Sequence, residues 1–185
     1  MLRWFLRRMI ARFERTYDFD ASYARDLIEH APVTLLWLFL APRIIRRPRA
    51  LPLEAWVAAG LTGAMEADCG SCTQLGVRMG QETGVADEVL RAIVADDEDA
   101  MSEDVRLVTR YTRASLRHDI DAEGFRDEIV RRWGKNVLAR LAYLVTISGL
   151  FPTIKYTLGH GRSCTRVRIG SRDVPVHRMV PQEAA

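Results

Sequence analysis

Residues 51–84 read LPLEAWVAAGLTGAMEADCGSCTQLGVRMGQETG, and this stretch decides the fold. Pro52 opens a helix, because its fixed φ suits a first turn and its missing N–H is not needed there. Leu53, Trp56, Val57, Gly60, Leu61 and Ala64 then recur at spacings of three and four and form one helical face. Gly60 and Gly63 lower helix propensity, so their presence points to close packing against another helix. A short break is expected at Asp68–Ser71. A second helix then runs from about Cys72 to Glu82, with Gly84 as its stop.

The same periodicity extends outward in both directions. Upstream, helices are expected over about 2–17, from an Asp20 cap to His30, and from Pro32 onward. Residues 43–52 (RIIRRPRALP) form the connector. Downstream, Val85–Val94 is a short helix and Asp96–Asp99 an acidic loop. Ser102 caps a helix to about His118, and Asp121 caps one ending near Trp133-Gly134. Asn136–Leu158 is a long apolar helix, with a kink expected at Pro152 and a stop at Gly159-His160-Gly161. Few segments alternate with period two, and one short strand is expected at Thr165–Ile169. The expected fold class is all-α, without internal repeats. It divides into a basic helical arm (1–50) packed on the core or on a partner subunit, a helical core (51–160) and an irregular basic tail (161–185).

Composition narrows the function classes. In 185 residues, 48% are hydrophobic and 28% charged, which excludes a collagen-like or wholly disordered chain. Cysteine occurs three times, too few and too odd for a disulfide scaffold. Residues 1–50 carry 10 Arg against 5 acids, whereas the body from 51 to 159 is acidic on balance. Arg7, Arg8, Arg12 and Arg15 interrupt any signal-peptide core. The apolar run VTLLWLFL at 33–40 is closed by Pro32 and Pro42, too short to span a bilayer. The expectation is therefore a cytoplasmic protein without a transmembrane segment. Leu2, Phe5, Leu6, Met9, Ile10, Phe13 and Tyr17 give the first helix an apolar face opposite Arg. Such a helix docks on its own domain, on a partner subunit, or on a membrane surface. The arginines near 43–49 and 162–172 lack the aromatic interleaving or helix-turn-helix pattern of a nucleic-acid reader, so no nucleic-acid partner is expected. A homo-oligomer is expected from the apolar faces near the N-terminus.

The chemistry lies in Cys69-Gly70-Ser71-Cys72. Two thiols separated by two residues can close a small disulfide, and a helix start stabilises a thiolate through its orphan N–H groups and dipole. Glu66 lies one turn before Cys69 and is a candidate proton acceptor. A carboxylate beside a thiol raises the thiol pKa, so Glu66 needs partial burial to work as a base. Two other readings stand. Cys69, Cys72, Cys164 and His160 compose a Cys3His set that could hold zinc. Alternatively, the pair is buried, reduced and inert.

On the helix LPLEAWVAAGLTGAMEAD, the CGSC turn, the helix CTQLGVRMGQETG and the following GVADEVLRAIV, the chain resembles the alkylhydroperoxidase D-like / carboxymuconolactone decarboxylase superfamily. The resemblance covers about residues 50–95. It implies an all-helical, oligomeric fold. In the redox branch it implies reduction of hydroperoxides or disulfides through Cys69 and Cys72, with Cys72 attacking, Cys69 resolving and an external thiol reductant regenerating the pair. No cofactor and no metal are implied. The chain departs from the pattern at two points. The family's histidine four residues after the second cysteine is replaced by Gly76. Its acidic residue three turns upstream is replaced by Val57, with Glu54 and Glu66 on either side. His160, delivered from the end of the last long helix, is the candidate replacement for the histidine. The decarboxylase branch, which does not need the cysteines, and a non-catalytic interaction protein are the alternative functions.

Overall fold

The computed structural model describes residues 1–161 and 166–176. Among these residues nine α-helices run in order: α1 (Leu2–Tyr17), α2 (Ser22–His30), α3 (Pro32–Ile44), α4 (Leu53–Glu66), α5 (Gly70–Glu82), α6 (Asp87–Ala95), α7 (Glu103–Arg117), α8 (Ala122–Trp133) and α9 (Lys135–Thr157). They are followed by two short strands, β1 (Arg166–Ile169) and β2 (Arg172–Pro175). The all-helical expectation holds for the body of the chain.

Helix α4 is the hub. It packs against α5, α6, α7 and α9, and Ala55, Ala58, Ala59, Leu61 and Ala64 along it are buried. Small residues allow that many neighbours to approach. At Gly63 the approach is limiting, because a Cβ there would lie 1.8 Å from Ser148 Oγ on α9. Gly60 has more room, with Leu144 Cδ1 at 3.8 Å from the equivalent position.

Three apolar clusters divide the interior. One joins α4, α5 and α6 through Leu61, Val77, Leu90 and Ile93 and takes in Val167, Ile169 and Val174 of the strands. A second joins α4, α7, α8 and α9 through Ala59, Val108, Ile129 and Leu141. The third is the N-terminal unit: Leu6 and Ile10 of α1, Phe19, Tyr23 and Ile28 around α2, and Leu35 of α3. Leu75 of α5 and Phe151 and Ile154 of α9 pack against it. The first three helices are thus seated on α5 and α9.

The tail departs from the expected irregular course. β1 and β2 form an antiparallel hairpin with Ile169 opposite Arg172, turning at Gly170-Ser171, and Gly170 adopts φ of 60°. The sequence reveals β1, but β2 (RDVP) holds one residue, Val174, that turns inward, too short an alternation to recognise. Gln74 of α5 binds the hairpin edge: its Nε2 donates to the Arg168 carbonyl (2.9 Å) and its Oε1 accepts from the Arg168 amide (2.7 Å).

Among the described residues, α9 is long and apolar enough to cross a membrane by length and composition. Its Val137, Leu141, Val145, Ile147 and Lys155 are buried, and it packs on α3, α4 and α8. Ser102 caps α7 by accepting from the Val105 amide at 3.4 Å. Asp121 makes no such side-chain bond to α8.

Candidate functional site

The site is built where α4 stops and α5 starts. Asp68 bends the chain in the left-handed region, with φ of 49°. The bend is held from α9, where the Tyr156 hydroxyl donates to the Asp68 carbonyl at 2.8 Å. Cys69 is then the N-cap of α5, and Cys72 is the third residue inside the helix. The helix starts two residues earlier than the sequence suggests, and this matters chemically. An N-cap side chain faces the first free amides of the helix, the position that best stabilises negative charge.

Neither cysteine is in a disulfide. Cys69 is fully buried, whereas Cys72 is partly exposed. The neighbouring Cys72 thiol, the Ser71 hydroxyl 3.6 Å from the Cys69 sulfur and the positive charge of Lys155 all favour a thiolate at Cys69. Together they outweigh burial and bring Cys69 down to about 6. Cys72 is pushed strongly upward, first by the neighbouring Cys69 sulfur, then by burial and by the negative charge on Cys69. The two thiols are therefore unequal, with negative charge favoured on Cys69 over Cys72.

Lys155 is the residue that sequence reasoning missed. It sits on α9, only 3% exposed. Its Nζ donates to Ser71 Oγ at 2.6 Å, and Ser71 Oγ lies 3.6 Å from Cys69 Sγ. The ammonium also stands over the rings of Phe19 (4.6 Å) and Tyr23 (5.7 Å). A buried ammonium is costly unless negative charge compensates it. The positive charge of Lys155 acts on Cys69, Cys72 and Asp20. One available signal is rarity: the chain holds two lysines, and Lys155 interrupts an otherwise uncharged stretch from 141 to 159.

Tyr23 of α2 completes the enclosure. It is buried, and its pKa rises, first through burial and then through the negative charge on the cysteine pair. The N-terminal unit therefore covers the CGSC turn.

The other expected residues lie elsewhere. Glu66 binds α7 with both carboxylate oxygens: Arg117 donates through Nε and Nη2 (both 2.7 Å), and Arg113 Nε donates at 3.2 Å. Arg113 also bonds Asp96 at 2.8 Å. Both carboxylate oxygens are thus engaged by α7 rather than by the thiol pair's donors. His160 turns toward α2, with Nε2 at 2.7 Å from Asp26 Oδ2 and Nδ1 at 3.0 Å from Ser22 Oγ. Both ring nitrogens are thus occupied by the N-terminal unit. A side chain at Gly76 would meet Leu61, because a Cβ there would lie 3.1 Å from Leu61 Cδ1. Cys164 lies outside the described residues, and among those described no three His, Cys, Asp or Glu side chains are grouped to hold a metal ion.

No family model, curated protein or solved structure matches the chain.

Proposed function

We propose that the protein is a thiol oxidoreductase of the alkylhydroperoxidase D-like kind, reducing hydroperoxides or disulfides through Cys69 and Cys72. The observation that carries this reading is Lys155, a buried cation bonded to the serine inside the cysteine motif. An inert thiol pair has no use for a compensating ammonium and an N-cap position. A pair that must hold a thiolate needs both.

The steps follow from the two environments. Cys72 is the reachable sulfur, and Cys69 is its proton acceptor and resolver. A proton passes from Cys72 to Cys69, and the Cys72 thiolate attacks one oxygen of the hydroperoxide. The O–O bond breaks. Cys72 becomes a sulfenic acid, and the departing alkoxide takes the proton back from Cys69. The regenerated Cys69 thiolate then attacks the Cys72 sulfur and expels hydroxide, leaving a Cys69–Cys72 disulfide, an alcohol and, after protonation by solvent, water. An external dithiol supplies two electrons and two protons to restore the pair. With a disulfide substrate, Cys72 forms a mixed disulfide and Cys69 resolves it in the same manner. Lys155 and Ser71 are positioning residues that favour a thiolate on either sulfur of the pair. They take the place that the resemblance assigns to a histidine, and neither Glu66 nor His160 is needed.

The decisive experiment is peroxide consumption by the reduced protein with a dithiol as electron donor. Cys69→Ser and Cys72→Ser should each abolish it. Lys155→Met should slow it and make it more alkaline in its pH profile, while Glu66→Gln retains it. Unchanged consumption in both serine variants, or none in the wild type with either substrate class, would return the chain to the decarboxylase-like or interaction-protein alternative.

A further inference from the structure

The N-terminal unit buries one side of α1 and α3 in its own cluster and leaves the other side without a partner among the described residues. On α1, Leu6 and Ile10 face inward, while Trp4 is 66% and Phe5 56% exposed. On α3, Leu35 and Leu38 are buried, while Val33, Trp37, Leu40 and Ile44 are exposed. The α3 residues are spaced by four, three and four, so they form one continuous apolar stripe along the outside of the helix.

Charge accompanies this surface. Arg8, Arg12 and Arg15 share the outer side of α1 with Trp4 and Phe5, and the Arg8 guanidinium stacks 5.7 Å from the Trp4 ring. The chain leaving α3 adds Arg46 and Arg49. These five guanidiniums make no ion pair with a carboxylate among the described residues, whereas Glu14, the one acid on α1, bonds Arg25, and α3 has none. An outer face with exposed tryptophans, an apolar stripe and unneutralised arginines fits an anionic, partly apolar surface.

We infer that the outer face of α1 and α3 docks the protein on an anionic lipid bilayer, with Trp4, Phe5, Trp37 and Ile44 entering the headgroup boundary and the arginines meeting lipid phosphates. The helices lie in the plane of the surface and do not span it. The inference stands apart from the thiol chemistry.

The test is flotation of the full chain with phosphatidylcholine vesicles, with and without phosphatidylglycerol, plus quenching of tryptophan emission by brominated acyl chains. Binding should require phosphatidylglycerol, weaken with salt and quench tryptophan. The double variant Trp4→Ser/Trp37→Ser and the variant Arg8→Glu/Arg12→Glu should each weaken binding by about tenfold or more while the thermal melt is kept. Cys69→Ser/Cys72→Ser should bind as the wild type does, so loss of the redox reading leaves this result untouched. Absence of binding to anionic vesicles, or equal binding to neutral ones, would overturn the inference. So would a concentration-dependent dimer that Trp4→Ser/Trp37→Ser dissolves and that ignores vesicles, because the face would then belong to a second copy.

Discussion

Cys69 and Cys72 are three residues apart and chemically opposite. The surroundings of the N-cap thiol favour its thiolate, and those of the helix thiol disfavour one. Ultraviolet titration of the reduced protein should show one thiolate forming near pH 6 and no second one in the neutral range. Ser71→Ala removes a donor and Lys155→Met removes the nearby charge, so each should move that transition toward an ordinary thiol, near 8.5. An unmoved transition in both variants would exclude the Lys155–Ser71 link. The sign of the stability effect follows. Cys69 is depressed in the folded state, so its contribution is complete above the unfolded thiol pKa and fades as pH falls toward about 6. Reduced wild-type protein should therefore gain stability from pH 6 to 8 at up to about 1.4 kcal/mol per unit. Cys69→Ser should lack this slope, as thermal melts across that range would reveal.

At the scale of elements, the α4–α9 contact is set by the space at Gly63. A methyl group there collides with Ser148, whose hydroxyl is tied to the Val145 carbonyl at 2.7 Å. Gly63→Ala should cost about 1–3 kcal/mol of unfolding free energy, measured by urea denaturation, and Ser148→Ala should recover part of it. The α4 and α7 helices, which pack together, carry three buried hydroxyls, those of Thr62, Thr109 and Thr112, with no hydrogen-bond partner among the described residues. Replacing Thr109 by the isosteric valine removes an unpaired polar group. It should leave stability equal or raise it by about 1 kcal/mol, where a satisfied threonine would lose a similar amount.

For the whole molecule, the N-terminal unit is a cover as well as an arm. Phe19 and Tyr23 lie over Lys155, and His160 at the far end of α9 joins α2 through Ser22 and Asp26. Tyr23→Ala opens the cover beside the cysteines. Modification of Cys69 by a neutral thiol reagent should then accelerate, with stability falling by about 3 kcal/mol or more from the lost aromatic burial. A loss of stability without faster modification would mean that Tyr23 does not shield the sulfur.

The sequence by itself determined the helices, because a period of three and four is written into each segment and short-range rules end it. Ser102 and Gly84 act within one turn of themselves. It also determined the position of the thiol pair, since one helical turn brings residues three apart to the same side. It did not determine what surrounds the pair. Glu66 and His160 are near Cys69 by chain position or by chemistry, yet the fold gives their polar atoms to arginines on α7 and to α2. Lys155, 83 positions beyond Cys72, is brought to the motif by the packing of α9. Its charge is affordable there because tertiary contacts exclude water and set a thiolate within reach, and such contacts leave no trace in local periodicity. The second strand, with a single inward residue, escaped for the same reason: its stability comes from the partner strand and the helices beneath it.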